Sequence, residues 1–123
     1  MSLVRCAVGK LIVRGGFTES THGEPVPHDG YVVSRPDAEQ RSRRAITTYN
    51  AHSLARMIGR YARKHSALLS QPGKYLGGWV DNVGRIYLDV SEHFTDRREA
   101  LETAIRHNQR AVWDVAAEQE IYL

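Results

Sequence analysis

Apolar residues recur along this chain with two different periods, and the change of period marks its elements. From Ala51 to about Leu69 the apolar positions Leu54, Met57, Ile58, Tyr61, His65 and Leu68 are spaced by three and four. That spacing puts them on one face of a helix. Asn50 is a suitable N-cap, and Ser70-Gln71-Pro72-Gly73 stops the helix. The period then drops to two. Tyr75 to Val80 and Ile86 to Val90 flank the turn Asp81-Asn82-Val83-Gly84-Arg85, which predicts a β-hairpin. A symmetric register pairs Val80 with Ile86, Gly78 with Leu88 and Leu76 with Val90. Leu76, Val80, Ile86, Leu88 and Val90 then share one face, and Trp79 pairs with Tyr87 on the other. Asp96 caps a second helix over about 97–108, with Leu101, Ala104 and Ile105 as its stripe. Ala111 to Val115 reads as a strand, and Glu120 to Leu123 as a returning edge strand.

The first fifty residues are rich in Gly, Pro, Thr and His, and their pattern is weaker. Leu3 to Val13 reads as extended, with aliphatic and β-branched residues ended by Gly15-Gly16. Phe17-Thr18 and Tyr31 to Ser34 are short strand candidates around a Gly- and Pro-containing loop from Ser20 to Gly30. Asp37 to Thr48 is polar, carries Arg41, Arg43 and Arg44, and reads as a helical or irregular connector. The expected fold is α+β: a mainly antiparallel sheet with a central hairpin at about 75–90. Its two main helices, at about 51–69 and 97–108, pack on one face.

The chain has 123 residues, of which 41% are hydrophobic and 25% charged. This is enough for one domain, residues 1–123, with a core that needs no disulfide or metal. No run approaches the ~18 apolar residues of a membrane span, and the start does not read as a signal peptide. The expectation is a cytoplasmic protein without membrane contact. The single cysteine, Cys6, lies in the strand-like Leu3-Val4-Arg5-Cys6-Ala7-Val8 and reads as a small core residue. The net charge of +3 permits contact with nucleic acid and argues against an acidic mimic of DNA.

Three groups of residues are candidates for chemistry. Asp81, Asp89, Glu92 and Asp114, with His93 nearby, match no ligand template, and Asp81 is better explained by the turn it opens. The six histidines show no zinc spacing, so no metal and no cofactor are expected. An enzyme built from Asp89, Asp114 and a histidine stays open, but no catalytic residue is assigned. The third group is basic. Arg56, Arg60, Arg63 and Lys64 recur at offsets of four, seven and eight along one helix face, with Arg41, Arg43 and Arg44 just before it. Clustered cations of this kind suit phosphate contacts and equally suit a solvated helix face.

Four segments resemble a group of small proteins of actinobacterial phages, prophages and conjugative plasmids. They are Gly30 to Ser34, Tyr75 to Asp81, Ile86 to Ser91 and Asn108 to Asp114, with the pattern GGWVD…YLDVS…NQxAVWD. The similarity spans roughly residues 15 to 120 and carries over no catalytic residue. It implies a mobile-element accessory protein that binds a host or phage protein and interferes with host defence or host machinery.

Two functional expectations result. One is a protein-binding module that uses Trp79, Tyr87 and Tyr75, since aromatic side chains concentrate at binding hot spots. The alternative is a nucleic-acid binder that uses Arg56, Arg60, Arg63 and Lys64. A homo-oligomer formed through the C-terminal edge strand is a further expectation, because an edge strand presents unpaired backbone groups. The same strand can equally close the sheet within one chain.

Overall fold

Alternation along one long strand organises the molecule. In the computed structural model, which describes residues 2–123, this strand is β5, Arg85–Phe94. It pairs along one side with β4, Lys74–Val80, in the register expected from the hairpin. Its other side is divided between two strands. β3, Gln40–Ala45, takes the first part and β2, Tyr31–Ser34, the last. β1, Gly16–Glu19, extends the sheet beyond β4. β6, Ala111–Asp114, and β7, Gln119–Tyr122, extend it beyond β2. The order is β1-β4-β5-β2-β6-β7 with β3 beside β5, and every pairing is antiparallel.

The helices all lie on one side. Ile86, Leu88 and Val90 of β5, with Leu76 and Phe17, pack against α1, Ser2–Arg14, and α2, Ala51–Lys64. Each such aliphatic side chain, buried to 1% exposure or less, is worth about 1.5–3 kcal/mol. α3, Ser66–Leu69, follows a break at His65 and contributes Leu69. α4, Arg97–Arg106, sets Ala100 and Ala104 on Val33 and Val112. Val33 stands opposite Glu92, on the same side of the sheet as Val90, so α4 joins the same helical layer. The Asn50 cap expected for α2 is present as a capping box with Ser53.

Four expectations are corrected. Leu3 to Val13 is helical, not extended. Its buried positions Ala7, Val8 and Leu11, with Val4 packed beside them, follow spacings of three and four, and this period outweighs the β-branched composition. Gly15 ends the helix at φ +77°, and its N–H bonds the Leu11 carbonyl. Cys6 is accordingly on the exposed side of α1, not in the core. The connector from Asp37 to Thr48 contains β3. Its sequence, QRSRRA, has no apolar alternation because only Ser42 is buried; the free edge of β5 recruits it. On α4, Ile105 is 63% exposed, and Thr103 takes the buried place expected for it.

Gly78 lies against the Phe17 ring, and an added Cβ would overlap that ring. Gly78→Ala should therefore destabilise the domain by about 1–3 kcal/mol, as overpacking does. Urea unfolding measures it. An unchanged midpoint would mean that Phe17 has room to retreat.

Candidate functional site

The side of the sheet away from the helices is built in cross-strand rows. The first row runs Gly16, Trp79, Tyr87, Arg41 across β1, β4, β5 and β3. Trp79 and Tyr87 stack with ring centroids 4.2 Å apart and planes 7° apart. The Arg41 guanidinium lies 5.7 Å from the Tyr87 centroid, so the two rings and a cation form one stack. Trp79 is 42% exposed. Asp81 stands 3.8 Å from Arg41. Its carboxylate also accepts from the N–H groups of Val83 and Arg85, which fixes the hairpin turn as the sequence suggests.

The second row holds Thr18, Gly77 and Asp89. Asp89 is only 3% exposed. Ser91 Oγ donates to one carboxylate oxygen at 2.9 Å and Ser34 Oγ to the other at 3.0 Å. An added Cβ at Gly77 would overlap the carboxylate, so the glycine makes the space in which Asp89 sits. Burial raises the Asp89 carboxyl above its usual range, against the pull of the Ser91 and Ser34 hydroxyls. The third row holds Tyr75, Ser91 and Ser34. Tyr75 is buried, and its hydroxyl donates to the Pro25 carbonyl at 3.2 Å, so the loop before β2 withdraws it from contact. The fourth row places His93, Val32, Trp113 and Glu120 side by side, with Trp113 41% exposed.

The cations gather at the β3 side of this face and continue around it. Arg41, Arg43 and Arg44 of β3 are exposed, with Arg44 4.9 Å over the Tyr49 ring. On α2, Arg56, Arg60, Arg63 and Lys64 are all exposed. The two sets adjoin, because Gln40 of β3 lines a recess of about 190 Å³ together with Met57, Arg60, Tyr61 and Lys64. Of these seven cations only Arg41 has an acidic partner within 4 Å among the described residues.

Other candidate chemistry is dispersed. Asp89 lies on the open face. Asp114 pairs with Tyr31 and has the parity of buried Val112, so it lies on the helical side. The catalytic arrangement sketched from these two carboxylates is not assembled. Among the described residues no three His, Cys, Asp or Glu side chains are grouped to hold a metal. No described helix is long and apolar enough to cross a membrane. A wider recess of about 370 Å³ beside Gly30, Tyr31 and Thr95 is bordered by Asp29 and Asp114. The edge strand expected at the C-terminus is β7, which pairs with β6 alone. Sequence reasoning missed Arg41 as a member of the stack. The signal for it was the length of β5, which leaves an edge opposite Tyr87 for another strand to fill. No family model matches the chain, and searches of curated proteins and of solved structures find no match.

The buried carboxyl carries a pH dependence. The folded protein keeps the Asp89 proton to higher pH than the unfolded chain does. The stability tied to this proton is complete below the unfolded carboxyl's titration and is lost as pH rises through the folded one. Asp89→Asn should abolish that decline. Urea midpoints of the two proteins from acid to neutral pH test this, and parallel curves would show that Asp89 titrates alike in the folded and unfolded chain.

Proposed function

We propose that this protein is a nucleic-acid-binding accessory protein, and that its contact surface is the cationic band that joins α2 to β3. The single observation that carries this reading is the band's lack of internal neutralisation. Arg43, Arg44, Arg56, Arg60, Arg63 and Lys64 meet no acidic side chain within 4 Å among the described residues. Phosphate contacts need clustered, unspent cations more than any special geometry. The recess beside Gln40, with Arg60 and Lys64 one helical turn apart on its rim, adds a concave point of contact.

Docking onto a host or phage protein through Trp79, Tyr87 and Tyr75 is the competing reading. Tyr75 is buried, which leaves Trp79 and the partly covered Tyr87 as its apolar centre. A stable protein interface buries about 800 Å² on each partner around an apolar core, and two aromatic rings beside Arg41 supply little of that. The resemblance to phage and plasmid proteins supports a mobile-element setting for either partner.

Anisotropy of a labelled oligonucleotide tests the proposal. Binding should appear at ~50 mM salt and weaken about a thousandfold by ~200 mM if six phosphates are engaged. Arg60→Ala with Lys64→Ala should lower the salt slope by about two units. No anisotropy change at ~50 mM salt overturns the nucleic-acid reading and leaves protein docking on the sheet face.

A further inference from the structure

The stack on the open sheet face is closed at one end and open at the other. Arg41 covers the outer face of Tyr87, and Tyr87 covers one face of the Trp79 indole. The second indole face has neither an aromatic nor a guanidinium partner among the described residues. β1 is the outermost strand on that side, and the residue it sets beside Trp79 is Gly16. The row therefore has no side chain beyond the indole. Gly16 does not have the positive φ that would demand glycine. The atoms nearest to a Cβ added there are the Gly78 carbonyl oxygen, at 3.2 Å, and the Cα and Cβ of Trp79, at 3.9 Å.

We propose that this open indole face is a stacking site for an unpaired nucleobase, so that the protein prefers single-stranded to double-stranded nucleic acid. The proposal rests on the nucleic-acid reading above and adds the class of strand. A flat ring of the indole's own size is the natural continuation of a parallel aromatic stack. Every nucleobase offers such a ring, and stacking of this kind is tolerant of sequence. A base within a duplex already has both faces covered, whereas a single strand can turn a base out onto the protein. The charges fit the same occupant. Arg41 stands two strand spacings from Trp79, about 10 Å, and Arg43 and Arg44 continue from it along β3. A strand whose base rests on Trp79 can lay its phosphates over the stack toward these cations. Two carboxylates stand near this path: Asp89 is buried under two hydroxyl donors, and Asp81 is engaged by Arg41 and by the turn N–H groups of Val83 and Arg85.

The experiment uses the full chain with Trp113→Phe, which leaves Trp79 as the only one of the two tryptophans. This protein is titrated at ~50 mM salt with oligothymidylate and with a blunt duplex. The single strand should quench Trp79 emission and the duplex should not. Trp79→Ala should weaken single-strand binding about tenfold or more and move the duplex curve by less. Trp79→Tyr, which keeps a ring, should retain most of the affinity. Gly16→Leu, which places a side chain against the indole, should reproduce the loss, with thermal melting confirming that each variant is folded. Unchanged single-strand affinity in folded Trp79→Ala, or equal quenching by duplex, overturns the stacking site; salt-sensitive binding of both strands would then leave the cationic band standing. Absence of binding to either strand overturns both.

Discussion

Ile86, Leu88 and Val90 leave water together because β5 is extended and its alternate side chains must point the same way. Tyr87, Asp89 and Ser91 are thereby sent to the other side. The neighbours of β5 inherit this division through their registers. Leu76 joins the apolar side from β4 and Val33 from β2, and Trp79 and Ser34 follow the other parity. A shift of one residue between β4 and β5 would exchange the two sets, exposing the core and burying the open face. The helical layer and the aromatic row are thus two consequences of one register.

Two adjacent glycines let that register close at full packing density. Gly77 and Gly78 face opposite sides of β4, and each leaves out a side chain where a neighbour needs the volume. On the helical side the Phe17 ring of β1 fills the space over Gly78. On the open side the Asp89 carboxylate and Ser91 occupy the space over Gly77. Glycine within a strand costs conformational entropy. The cost is offset here by an aromatic packed into the core and by a carboxylate that accepts two hydroxyl bonds. A side chain at Gly78 would crowd the Phe17 ring of β1, and one at Gly77 would crowd Asp89 and Ser91 of β5.

The hairpin was legible in the sequence because its period, its turn and its cross-strand pairs all agree, and Trp79 beside Tyr87 came with it. α2 was legible for the same reason, through Asn50 and the Leu54-Ile58-Tyr61 stripe. α1 was misread because Val4, Val8 and Val13 suggest a strand by residue type, while the stripe through Ala7 and Leu11 suggests a helix by spacing; packing against β1 and α2 decides for spacing. β3 carried no local signal at all. Its partner on the far side is solvent, so its side chains needed no apolar alternation, and only the long unpaired edge of β5 defines it. The stack lost its third member with that strand, because Arg41 reaches Tyr87 only when β3 is paired. The cations of α2 were readable one by one, but their continuity with β3 depends on Gln40 meeting Arg60 and Lys64 in space.

Where the charges sit follows from these constraints as much as from composition. A chain of net charge +3 need not be strongly cationic anywhere. This one becomes so locally because its carboxylates are used elsewhere. Glu19 pairs with Lys10, Glu92 with Lys74 and Glu102 with Arg98. Asp81 spends its oxygens on the hairpin turn and Asp96 on the start of α4. Asp89 is buried. α2 has no acidic residue of its own, and QRSRRA of β3 has none either. Arg41 is paired with Asp81 and Glu39 stands exposed just before β3, so the positive field over that side comes from the other six cations. It falls off over about 8–10 Å at physiological salt. Trp79 lies about 10 Å from Arg41 by strand spacing, at the margin of this field. The indole is the place on the open face where an apolar ring and the edge of a positive potential meet, and an anionic chain that carries flat rings is the kind of molecule that gains from both.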